Sequence, residues 1–151
     1  MLETNPFVIR EMVMGDIPPV LEIEKASYPA PWTDKAFANE IASRSSVSIV
    51  AMETTSLVGY LVAWIVVDHV HIANIAVVVN HRHRGIGSVM MKWLLAESKQ
   101  TGCVASTLEV RKSNKAARAM YSQLGYRSVA IRKLYYRKPL EDAVVMLKEL
   151  S

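Results

Sequence analysis

The segment Ile75-Ala76-Val77-Val78-Val79-Asn80-His81-Arg82-His83-Arg84-Gly85-Ile86-Gly87-Ser88 runs from β-branched residues through a basic, glycine-containing loop into the start of a helix. Glycine lets a backbone come close to a ligand, and the unpaired N–H groups of a first helical turn favour an anion there. A pyrophosphate suits that arrangement. An ordinary strand-to-helix turn has the same glycine spacing, so the loop alone does not decide. It lacks the Gly-Lys-Ser/Thr of a Walker loop and the three-glycine spacing of a dinucleotide fingerprint, which weighs against a kinase or a dehydrogenase. Charge supports an anion site. Up to Asp68 there are nine acidic and four basic side chains, from His69 onward five against fourteen, and no carboxylate lies between Val110 and Leu140. Such a basic half attracts phosphates, on nucleic acid or on a cofactor, unless it is only a solvated face.

The other reactive residues read more plainly. His69-x-His71 and His81-x-His83 each supply half of a metal site without the rest of a ligand pattern, so no metal is expected. The first pair reads as a strand face, the second as part of the anion loop. Cys103, the sole cysteine, cannot form an internal disulfide and stands at the start of an apolar run, as a core residue does.

The elements that must position these residues follow from periodicity. Phe7 to Val13 predicts a strand, and Asp16 an N-cap with Pro18 and Pro19 in the first turn of a helix to Ala26. Thr33 can cap a second helix through Phe37 and Ile41. Val47 to Glu53 and Leu57 to Val67 predict a hairpin, and His69 to Val79 a third long strand. A helix follows from Gly87 to Lys99, then a buried strand from Val104 to Val110. Asn114 can cap a last helix that stops at Gly125, and two strands near Tyr126 to Tyr136 and Ala143 to Leu147 finish the chain. This order mixes hairpins with a β-α-β crossover, so the fold class expected is α/β (α+β), with a single mixed central sheet flanked by about four helices. At 151 residues, 51% hydrophobic and 21% charged, one domain spanning residues 1–151 is expected.

Arg82-x-x-Gly85-x-Gly87 resembles the R/Q-x-x-G-x-G/A motif of the GNAT superfamily of N-acetyltransferases, which bind acetyl-CoA there. Leu108-Glu109-Val110-Arg111, Ser113-Asn114, Ala117, Met120-Tyr121 and Leu124-Gly125-Tyr126 are similar to a segment of the ribosomal-protein alanine N-acetyltransferase (RimI-type) subgroup. The tail Arg132-Lys133-Leu134-Tyr135-Tyr136 with Glu141-Asp142-Ala143, and Pro31-Trp32 with Phe37, extend the likeness over nearly the whole chain. The resemblance implies that Ile75, Ala76 and Val77 pair with the pantetheine arm, and that His83, Arg84, Gly85, Ile86, Gly87 and Ser88 hold the pyrophosphate. It further implies that Asn114 touches the cofactor near its thiol end, that Glu109 is the proton acceptor, and that Tyr121 is the proton donor. Tyr28, Trp32, Tyr135 and Tyr136 are the candidates for contact with an acceptor peptide. Val79 replaces a proline that is frequent in the family after the cofactor-binding strand.

These roles make chemical sense. An α-amino group, with a reference pKa of about 7.7–8.0, is largely protonated near neutral pH and cannot attack a carbonyl until a base removes its proton. Glu109, among Val104, Leu108 and Val110, is expected to be partly desolvated and so a better base than a surface Glu. A phenol at Tyr121 can donate to a departing thiolate. Without the resemblance, an ion-paired Glu and a core Tyr remain open.

The expected activity is transfer of acetyl from acetyl-CoA, by direct attack, to the N-terminal amine of a protein, in the leading case a ribosomal protein beginning with alanine. A lysine near 10.4 is deprotonated about a few hundred times less often than an α-amine near 8. Glu22, Glu24, Asp34 and Glu40 could attract a basic N-terminal segment. Alternatives are a lysine or small-amine acetyltransferase, a coenzyme-A sensor without turnover, and a nucleic-acid-binding module. The last lacks a helix of base-reading side chains, so no specific nucleic acid is expected. No membrane span and no secretion signal are legible, so a cytoplasmic protein is expected, with a monomer as its state.

Overall fold

The computed structural model describes residues 6–150, so the leader reading, which rested on the first residues, lies outside them. Seven strands form one sheet in the order β1-β2-β3-β4-β5-β7-β6. The strands are β1 (Val8–Glu11), β2 (Ser46–Glu53), β3 (Ser56–Val66), β4 (His69–Val77), β5 (Ala105–Arg111), β6 (Arg127–Arg137) and β7 (Leu140–Glu149). The helices are α1 (Ile17–Ser27), α2 (Asp34–Ala42), α3 (Ile86–Gln100) and α4 (Lys115–Gln123). Only β4 and β5 run parallel, so the sheet is mixed, as the element order predicts. No helix among the described residues is long and apolar enough to cross a membrane.

The sheet buries both faces in its first half. Met90, Met91 and Leu94 of α3 and Tyr121 of α4 pack on Leu61, Ile72, Leu108 and Met146. On the opposite face, Val20 and Ile23 of α1 and Phe37 of α2 pack on Tyr60, Val62 and Ala76. Thr33 caps α2 by accepting from the Ala36 N–H at 3.1 Å, and Asn114 caps α4 by accepting from Ala117 at 3.1 Å. Asp16 precedes α1 but does not cap it. Its carboxylate takes both Arg10 Nη1 and Nη2 at 2.8 Å and the Val13 N–H at 2.8 Å, and the guanidinium holds the carboxyl below its usual range. A charged fork outbids the N–H groups of a helix end.

One irregularity shapes the middle of the sheet. Val62 opposes Asn74 and Ala63 opposes Ile72, which leaves Ala73 as an extra residue, a bulge in β4. Pairing of β4 with β5 runs from His69 opposite Ala105 to Ile72 opposite Leu108 and ends there, at the bulge. Beyond it the two parallel strands part. β4 also stops at Val77 rather than Val79: the Val78 N–H turns back to the Val58 carbonyl at 2.9 Å, and Val79–His81 form a 3-10 turn.

Candidate active site

The opening between β4 and β5 presents peptide groups with no strand beside them. Because the Val78 N–H bonds to β3, alternation turns the N–H and C=O of Ile75 and Val77 the other way, toward the opening. The side chains nearby agree: the Ile75 carbonyl accepts from the Tyr28 hydroxyl, and the Val77 carbonyl from Arg82 Nε at 3.2 Å. Ala76, by the same alternation, directs its backbone at β3. Arg82 also donates to Ser27 Oγ at 3.2 Å, which ties the loop to the end of α1.

The loop itself uses its two glycines differently. Gly85, at φ 81°, adopts a left-handed conformation before α3, and a Cβ built there meets nothing within 4 Å, so a ligand can approach its backbone. Gly87 sits close against α4, since a Cβ there would lie 3.2 Å from Met120 Sδ. His83 is also left-handed, at φ 65°. Arg84 is turned away to Glu53, 2.6 Å from its Oε2, and holds that carboxyl below its usual range. What this stretch offers an anion is therefore its backbone and the start of α3. A strand edge leading to a left-handed glycine and a helix N-terminus fits an extended thioester arm ending in a pyrophosphate.

Glu109 stands one residue beyond the last β4–β5 pair, just inside the opening. Its side chain is 12% exposed, with Oε2 2.9 Å from His71 Nε2 and Oε1 3.5 Å from Arg132 Nε. The apolar neighbours expected from sequence do not surround it, because Leu108 and Val110 point to the other face of the strand, into the α3–α4 core; the residue opposite it on β7 is Val145. Tyr121 is buried edge-to-face against Tyr126, with ring centroids 5.8 Å apart. Burial, with Tyr28, Tyr126 and Tyr136 nearby, pushes its phenol well above the usual value. Burial also pushes Tyr136 up to about 12, aided by Tyr135 and Glu109. Tyr28 is thus fixed at the opening by its bond to the Ile75 carbonyl, Tyr121 feels Tyr28 and Tyr136, and Tyr136 feels the Glu109 carboxylate.

The remaining candidates are more scattered. Tyr135 is exposed and meets Tyr136 edge-on at 5.1 Å, while Arg111 lies 4.3 Å from the Tyr136 ring centroid. Trp32 packs on Phe37 at 5.3 Å and lines, with Glu40 and Trp64, a shallow pocket of about 390 Å³. Cys103 is buried, and burial pushes its thiol up, as befits a core residue.

Two features escaped sequence reasoning. Glu24, only 1% exposed, accepts from the Tyr60 hydroxyl, from Asn74 Nδ2 at 2.8 Å and from the Trp32 N–H at 2.9 Å. Glu40 accepts from Trp64 Nε1 at 2.9 Å and from the Ser46 hydroxyl. Glu24 is an internal strut, which corrects the expectation that it draws in a basic peptide; Glu40 is partly buried and lines the pocket beside Trp32, and Glu22 and Asp34 are exposed. The helical spacing of Glu24 from Val20 was visible, but a carboxylate in such a row reads as surface until its donors are known. His71 was legible as a strand-face residue, and only the register brings it to Glu109.

Comparison with known proteins agrees with this geometry. Residues 17–126 match the acetyltransferase (GNAT) family. The chain belongs to that family. It is an acetyl-CoA-dependent N-acetyltransferase. It is 30% identical over 145 residues to the [ribosomal protein bS18]-alanine N-acetyltransferase of Escherichia coli K12, covering 95% of this chain and 97% of that one. A Bacillus subtilis protein named provisionally for the same activity is 34% identical over 139 residues, 91% of this chain and 92% of its own. The crystal structure of the ribosomal-protein-S18-alanine N-acetyltransferase from E. coli superposes with a TM-score of 0.89 at 28% identity, over 96% of this chain and 94% of that chain.

Proposed function

We infer that this GNAT enzyme acetylates the α-amine of a protein N-terminus, with a ribosomal protein beginning in alanine as the leading acceptor. The observation that carries the reading is Glu109, a carboxylate one residue inside the strand opening, where the Tyr28 hydroxyl bonds the Ile75 carbonyl. The full-length similarity to enzymes named for ribosomal protein bS18 supports the choice of acceptor.

When bound, acetyl-CoA supplies an activated acyl group. Ile75 and Val77 bind its pantetheine arm through their peptide groups, with Ala76 backing them from the β3 side. Backbone N–H groups from His83 to Ser88 hold the pyrophosphate, and Asn114, at the N-cap of α4, lies toward the thiol. Glu109 takes a proton from the acceptor ammonium, directly or through a water, and frees the lone pair that forms the new C–N bond. Tyr121 gives a proton to the sulfur as the C–S bond breaks; burial keeps that phenol protonated and so able to donate. Tyr28, Tyr135 and Tyr136 border the acceptor, with Trp32 in the connection before α2. Val79, exposed at the start of the 3-10 turn, removes no donor from the loop. The enzyme acts as a single-domain monomer in the cytoplasm and needs no metal.

The test compares an Ala-initiated peptide bearing internal lysines with the same peptide blocked at its N-terminus. The free peptide is expected to be acetylated and the blocked one not; equal rates would move the acceptor to lysine. Acetyl-CoA is also expected to raise the thermal midpoint, by an amount equivalent to about 2.7 kcal/mol at a hundred times its Kd. Gly85→Val, which puts a β-branched side chain at a left-handed position, is expected to abolish that shift. A full shift in the variant would remove the loop from the binding site.

A further inference from the structure

We propose that His71 is a positioning residue for the acetyl transfer: it orients the carboxylate of Glu109 and sets how readily it takes a proton. The proposal rests on the reading of Glu109 as proton acceptor.

Both nitrogens and one face of the imidazole are engaged. Nε2 lies 2.9 Å from Glu109 Oε2, and Nδ1 lies 2.8 Å from Thr107 Oγ1, on the same face of β5 two residues away. The ring stacks on Trp64 with centroids 5.8 Å apart and planes 22° apart. Trp64 is held in turn by its Nε1–H bond to Glu40, itself anchored on α2. A series of Glu40, Trp64 and His71 thus runs from helix to strand and ends on Glu109. The carboxylate's other neighbour is less constrained, because Arg132 is 57% exposed and 3.5 Å away, whereas the His71 side chain is 23% exposed.

The partners also suit both protonation states of the ring. In neutral His71, Nε2–H donates to Glu109 and Nδ1 accepts from the Thr107 hydroxyl. In the cation, Nδ1–H donates to the same hydroxyl, which can accept as well as donate. No rearrangement is needed, and Glu109 keeps its hydrogen bond throughout. The charge beside it does change. A cation next to Oε2 stabilises the carboxylate and makes it a weaker base, so protonation of His71 slows proton removal from the acceptor. Other charged groups around the ring are Glu109 on β5 with Arg132 of β6 behind it, His69 and Asp68 at the near end of β4, and Glu40 of α2 behind Trp64.

The experiment measures kcat, KM for acetyl-CoA and the pH profile of kcat/KM, for His71→Ala and His71→Gln, each alone and combined with Glu109→Gln. His71→Ala is expected to lower kcat about tenfold, since small misplacement of a reacting group is costly, and to leave KM for acetyl-CoA and the acetyl-CoA thermal shift intact. In the Glu109→Gln background the same change is expected to cost less than twofold, because the carboxylate it serves is gone. His71→Gln keeps an N–H donor near the Nε2 position and cannot become a cation. It is expected to restore most of kcat and to move the acid limb to lower pH. A slow Glu109→Gln with a full-rate His71→Ala would overturn the proposal, as would an equal loss from His71→Ala in both backgrounds. A full-rate Glu109→Gln would instead remove the Glu109 assignment, and this proposal with it.

Discussion

Replacing Glu109 with glutamine is expected to lower kcat by about 10²- to 10⁴-fold, the usual contribution of a positioned general base. The carboxamide keeps the shape of the side chain and an oxygen for His71 but has no affinity for a proton. In the proposed reading acetyl-CoA is held by the β4 edge and the loop before α3, so the thermal shift it causes is expected to survive. Single-turnover acetylation of an Ala-initiated peptide at neutral pH provides the measurement. The deficit should shrink as pH rises above the acceptor's own pKa, where the amine arrives already deprotonated. A variant as fast as the native enzyme at neutral pH would show that bulk water or another group takes the proton. In the same assay Tyr121→Phe is expected to slow the acetylation step, and a full-speed variant would leave Tyr121 as packing against Tyr126.

The largest effect on stability is expected at Glu24. Truncation to alanine strands the Tyr60 hydroxyl, the Asn74 amide and the Trp32 N–H around a buried cavity. Each unsatisfied buried group costs about 1–3 kcal/mol, and a loss of about 3–5 kcal/mol overall is expected, in line with breaking other buried polar sets. At about 2–4 °C per kcal/mol for a chain of this size, the thermal midpoint should fall by roughly 10 °C. Glu24→Gln should cost much less: its carbonyl can still accept from Tyr60 and Asn74, and only the contact with the Trp32 N–H is lost. Urea unfolding of the two variants checks the order. An alanine variant within 1 kcal/mol of native would mean that water enters and serves the three donors.

Most of the fold was legible because its signals are local. Thr33 and Asn114 cap the helices their positions suggest, Gly125 closes α4 with φ 98°, and all seven strands overlap the segments expected for them, although β1 is shorter, β4 ends two residues early and β7 runs from Leu140 to Glu149 rather than from Ala143 to Leu147. Asp16 failed as a cap because its partner, Arg10, sits on a neighbouring strand where spacing rules do not reach. The candidate site was proposed in a different way, through residue types that resemble those of a family. Glu109 shows the limit of reading along the chain: its sequence neighbours face the opposite core, and its actual partners come from β4 and β6. Glu24 and Asn74, fifty positions apart, meet only once the sheet has formed.

The extra residue at Ala73 acts as a change of parity. Before it, β4 directs its even-numbered peptide groups toward β5; after it, the odd-numbered ones, Ile75 and Val77, point that way. The side chains swap accordingly, so Ile72 joins the α3 core while Asn74 reaches Glu24 under α1. Removing one residue there would undo both assignments together, even if every other side chain were kept. The place where the sheet opens is thus written in the chain as a count, odd against even, which no substitution at a single position can rewrite.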